Sequence, residues 1–166
     1  MKATLIFPPQ WSPLSPHCAM QTLCGELNKN DIDTYIVDLN IGFYEHMLTP
    51  QNISNQLSKL SDIKKSVLSI IKKEYNPNKS NNDYSEEFMI ATKHLLEIQK
   101  LEKQDDGTLI KILDFLPHAI SILKNNEHFY NLTLLQKAWF VVDTCLSICS
   151  LPYFPFSFSL DNYNSP

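Results

Sequence analysis

The sequence predicts an α/β chain that is mostly helical by content: a βαβ unit with parallel strands, a block of about four helices, and an extended aromatic tail. Three observations lead there. Two short apolar, β-branched runs near the start are separated by a helical stripe. From about residue 43 the apolar residues change period from two to 3.6. The last residues alternate aromatic with small side chains.

The first run, Ala3 to Phe7, is continuous, apolar and stopped by Pro8 and Pro9, as a strand buried on both faces would be. Ser15 and Pro16 then read as an N-cap and first helical residue, and Ala19, Met20, Leu23, Cys24 and Leu27 form one stripe to about Asn28. Ile32 to Val37 gives the second strand, closed by Asp38, Leu39 and Asn40. A crossover of this length is right-handed and leaves its strands parallel. Both therefore end on one edge, where the loop after the first strand and the "DLNIGFY" loop after the second meet. Open α/β sheets bind ligands at such an edge.

Beyond it, Thr49 and Pro50 open a helix carrying Ile53, Leu57, Leu60, Val67, Leu68 and Ile71, which the "NPNKSNND" breaker of residues 76–83 ends. A second helix spans about 85–103. The third carries Leu109, Ile112, Leu113, Leu116, Ile120 and Leu123, with Pro117 either kinking it or starting a new helix. The fourth runs from about Leu132 to Ser150. In the tail, Phe154, Phe156, Phe158 and Leu160 alternate with smaller residues, as in a half-buried strand or a strap, without a visible partner in the chain. Two parallel strands are too few for a stable sheet. The organisation expected is therefore residues 1–42 as the start of an α/β domain, 43–150 as a helical insertion, and 151–166 as a tail leading to a downstream domain.

Composition narrows the function. The chain has 166 residues, is 43% hydrophobic, and carries a formal charge of −4. All its cations are lysines, so the bidentate fork that arginine offers phosphates is missing. A basic face for nucleic acid is not expected. The four cysteines sit in a long, core-rich chain with no signal-peptide pattern, which fits a reducing cytoplasm. The most apolar stretch, Trp139 to Leu151, contains Asp143 and falls short of the roughly 20 residues a membrane span needs, so it reads as a buried helix.

Taken together, "PPQWSPLSPHCAMQTL" after the first strand, the helix leading to Asn30, "DLNIGFYEHM" after the second strand and "YFPFSFSLDNY" near the end resemble the N-terminal region of cobalamin-binding radical SAM enzymes. The likeness covers well under half of the chain. It implies an incomplete Rossmann-like cobalamin domain before the radical SAM barrel of a methyltransferase, inert without that barrel. It also implies that Pro8, Pro9, Trp11, Ser12, Asp38, Leu39 and Asn40 line the corrin or bond its side-chain amides. Proline lacks an N–H, so Pro8, Pro9, Pro13 and Pro16 would shape a loop with few unsatisfied donors against a flat apolar macrocycle, and Trp11 would add a broad face. Asp38 could equally cap a following helix.

S-adenosylmethionine and a [4Fe–4S] cluster belong to the barrel's Cys-x-x-x-Cys-x-x-Cys signature. Cys145 and Cys149 match its first spacing, but proline stands at position 152, so the cluster is expected only in a missing downstream domain. Carriers that ligate cobalt through histidine use Asp-x-His-x-x-Gly after the first strand, and this loop lacks it. No metal ligand is assigned, His17 being the loop's one histidine. Cys18, Cys24, Cys145 and Cys149 read as small core residues. The partners expected are cobalamin, the downstream domain of the same polypeptide, and a second copy through the exposed sheet edge, with neither nucleic acid nor membrane. A competing reading is a stand-alone helical interaction module whose aromatic tail docks on a partner.

Overall fold

The two runs near the start form β1 (Lys2–Phe7) and β2 (Asp33–Asp38), joined by α1 (Cys18–Lys29). The strands pair in parallel, Ala3 opposite Thr34 and Phe7 opposite Asp38, so both end at one edge. The turn after α1 holds Asp31 at φ 55°, a left-handed conformation that a short, locally bonding Asp tolerates. Beside it, Asn28 Oδ1 accepts from Thr34 N at 3.0 Å and ties the helix end to the strand start. The computed structural model describes residues 1–8, 18–80, 83–104, 106–128, 130–160 and 163–164. The expected N-cap Ser15 and the loop residues Pro9, Trp11, Ser12 and His17 lie outside the described residues.

Alternation along the strands gives the pair two faces. On one, Ala3, Leu5 and Phe7 are half-buried and Thr34 is buried, with Cys24 Sγ of α1 3.7 Å from the Thr34 carbonyl. On the other, Ile6 is 58% exposed, Tyr35 54% and Val37 41%. A sheet two strands wide cannot cover α1, which buries no residue. Cys18 and Cys24, expected in the core, are accordingly exposed and partly exposed.

The "DLNIGFY" segment, expected to be a loop, is a helix from its second residue onward. Asp38 Oδ1 accepts from Ile41 N at 2.9 Å, and α2 (Leu39–Met47) starts directly from the strand end. Next come α3 (Pro50–Glu74), capped by Thr49, α4 (Glu86–Glu102), capped by Ser85, α5 (Asp106–Lys124) and α6 (Leu132–Ser150), capped by Asn131. Glu74 near the end of α3 accepts from Ser85 N at 2.7 Å, which closes the turn across the Asn/Ser-rich breaker. No new helix starts at Pro117. Helix α5 runs through it because the ring lies on the exposed side, while Leu116, Ala119 and Ile122 face inward.

Every buried hydrophobic residue among those described falls between Tyr44 and Leu160. Helix α6 is the hub, packed on α5, α3 and the C-terminal segment, with Ala138, Val142, Cys145, Leu146, Ile148 and Cys149 all at 0–1% exposure. By length and composition Leu132–Tyr153 could cross a membrane, which the apolar stretch read from the sequence could not. In this fold its inward side is the centre of the core.

The tail has a partner after all: the chain's own helices. It turns at Leu151–Tyr153, then lays β3 (Ser157–Phe158) along α6, antiparallel to β4 (Tyr163–Asn164). Phe158 and Leu160 are buried, Phe158 N donates to Ser150 Oγ at 2.7 Å, and Tyr44 Oη donates to the Ser159 carbonyl at 3.3 Å. An edge-to-face contact of Phe43 and Phe158 rings, 5.4 Å apart, completes the seal between α2 and the strap.

Candidate functional site

Two places combine open space with chemistry. The first is the carboxyl edge of the β1–β2 pair, where the sequence placed its cofactor-holding residues. Leu39 and Ile41 stand 47% and 44% exposed on the first turn of α2, and Pro8 is exposed at the end of β1. One carboxylate oxygen of Asp38 is engaged in the cap, the alternative left open by the sequence. Asn40 is 2% exposed, so its amide is sheltered from solvent. The fold thus brings Pro8, Asp38 and Leu39 to one edge, with Asn40 beneath it; Pro9, Trp11 and Ser12 belong to the stretch outside the described residues.

The second place was not read from the sequence. Helices α4 and α6 both pack on α3, and between them lies a cleft of about 520 Å³ lined also by the segment Phe154–Ser157. Helix α6 lends it a stripe at i, i+3, i+4 and i+7, Phe140, Asp143, Thr144 and Ser147, while α4 lends Glu97, Lys100 and Leu101 and the turn after it Gln104. Lys100 is held by Glu97 at 2.7 Å, and Thr144 Oγ1 donates back to the Phe140 carbonyl at 2.7 Å. Asp143 has no ion-pair partner among the described residues, and Gln104 Oε1 is buried with no hydrogen-bond partner there. A buried carbonyl left without a donor costs about 1–3 kcal/mol. The cleft therefore presents one unpaired carboxylate, Asp143, among lining residues that include the exposed Phe140 and Phe156.

His94 lies behind this cleft, stacked on Phe154 with ring centroids 4.6 Å apart. Burial lowers its pKa, against the opposing effect of a backbone hydrogen bond at Leu151. Cys145 and Cys149 sit in the core as expected; burial pushes both thiols up to about 12. They are poor metal ligands at neutral pH, since thiolate is the binding form. Among the described residues no three His, Cys, Asp or Glu side chains converge as a metal site.

The signal for the cleft was present on α6, where Asp143, Thr144 and Ser147 interrupt an otherwise apolar stretch at helical spacing. Spacing alone does not distinguish a solvated face from one facing a gap. Compared with protein families, curated proteins and solved structures, the chain matches none.

Proposed function

We propose that the chain is the N-terminal cobalamin-binding segment of a cytoplasmic radical SAM enzyme, a methyltransferase whose catalytic barrel is a separate, downstream domain. The bare parallel pair carries the reading. Parallel sheets occur with both faces covered, yet Ile6, Tyr35 and Val37 stand in solvent on one side, and Ile36 and Leu23 are 38% and 48% exposed on the other. Further strands and helices of a Rossmann-like domain would cover them.

The residues at the carboxyl edge fit the cofactor in one respect: Leu39, Ile41 and Pro8 offer exposed apolar surface to a flat macrocycle. Asp38 would offer its second carboxylate oxygen to a corrin amide, and Asn40 would support the edge from within. Bound cobalamin would supply methyl-carrying chemistry; this segment's part would be to hold the ring and exclude water. Without the covering elements, the same bare face would favour self-association.

Two measurements test this together. Sequencing the coding DNA beyond the Pro166 codon should reveal an open frame reaching Cys-x-x-x-Cys-x-x-Cys. Titration of that complete protein with hydroxocobalamin should change the corrin absorption, with Leu39→Asp weakening binding about tenfold, a loss of about 1.4 kcal/mol. An immediate stop codon, or a corrin spectrum unmoved by the complete protein, would overturn the reading and favour the stand-alone helical module. That module would lose its docking tail, because Phe158 and Leu160 are buried in the chain's own core.

A further inference from the structure

We propose that the cleft between α4 and α6 binds an organic ammonium ion with a flat apolar or aromatic body. The site is distinct from the strand edge and does not depend on the cobalamin reading.

Three features select that chemistry. Its volume, about 520 Å³, suits a small molecule, since ligand pockets run roughly 300–1,000 Å³. Its unpaired charge is an acceptor: the partly exposed Asp143 carboxylate lacks a cation among the described residues. An ammonium group brings three donors and one positive charge and can answer that carboxylate. The one cation in the lining, Lys100, is neutralised by Glu97 at 2.7 Å, which leaves Asp143 to set the sign of the site. An anionic ligand would meet that carboxylate without compensation.

The walls supply the rest. Phe140 is 57% exposed and Phe156 40%, both lining the cleft, so a flat body laid between them removes apolar surface from water. Aromatic faces also attract a nearby cation through their quadrupoles. Next to the lining segment, Phe158 N donates to Ser150 Oγ at 2.7 Å and ties the tail to α6. Little ordering would be needed on binding.

The test uses tryptamine as probe and indole-3-propionate as its carboxylate counterpart, titrated calorimetrically into the chain. Tryptamine should bind at least tenfold more tightly than indole-3-propionate. Asp143→Asn, which keeps shape and removes charge, should cost about tenfold in tryptamine affinity and narrow the difference between the probes. Asp143 is partly exposed, and an unchanged melting temperature in the variant would show that the fold is kept. Absence of tryptamine binding at millimolar concentration, equal binding of the two probes, or an Asp143→Asn variant with undiminished affinity would each overturn the proposal.

Discussion

Replacing Ser150 by alanine should loosen the C-terminal strap. The Ser150 hydroxyl is buried, donates to the Leu146 carbonyl at 2.8 Å and accepts from Phe158 N at 2.7 Å. Loss of the first bond is nearly neutral, because that carbonyl keeps its place in the helix ladder. Loss of the second strands a buried N–H, at about 1–3 kcal/mol. A cost near 2 kcal/mol corresponds to roughly a 30-fold smaller folding constant and about 4–8 °C in Tm for a domain of this size. Urea unfolding followed by far-UV circular dichroism would read it. Phe158→Ala, which empties a core position, should cost about 3–5 kcal/mol. It should also let the strap lift so that its N–H reaches water. The double variant should then lose less than the sum of the singles by at least ~0.5 kcal/mol. A Ser150→Ala cost below ~0.5 kcal/mol, or strict additivity, would refute the idea that this one hydroxyl pins the tail.

Asp38→Ala removes the cap that launches α2 and should destabilise by about 1 kcal/mol in the same assay, with Asp38→Asn close to wild type. His94, whose pKa burial lowers, is held neutral in the folded chain. Its contribution is present above the unfolded value of about 6.5 and is lost as pH falls through the lowered folded value, because the unfolded chain takes up the proton first. Melting temperatures should therefore fall below about pH 6.5, and less steeply in His94→Gln. Iodoacetamide applied to the native chain should label exposed Cys18 and spare Cys145 and Cys149, whose thiols are buried with pKa values near 12. Peptide mass spectrometry would show the pattern, and rapid labelling of Cys145 would contradict the described core.

The sequence by itself determined the local elements. Thr49-Pro50 marked a helix start, apolar periodicity marked the inward faces, and two β-branched runs around a helix made a parallel pair. These are short-range effects of caps, φ restriction and side-chain period, so neighbours in sequence suffice to specify them. Pro117 was ambiguous because only the packing of α5 shows that its ring faces solvent. The helix at Leu39 escaped notice because a single cap bond, Asp38 to Ile41 N, starts it within a strand-like context.

What the tertiary structure decided was which apolar faces found partners. The stripe of α1 and the alternation of the tail were equally visible in sequence, yet α1 buries nothing while Phe158 and Leu160 are buried. The difference lies in what each meets: a sheet two strands wide in one case, the hub helix α6 with Tyr44 and Phe43 in the other. The cleft has the same origin, since Asp143 and Gln104 come to line it only because α4 and α6, distant in sequence, both pack on α3. Periodicity states which side of a helix is polar or apolar; only the packing of distant elements fixes whether that side meets core, water or a gap.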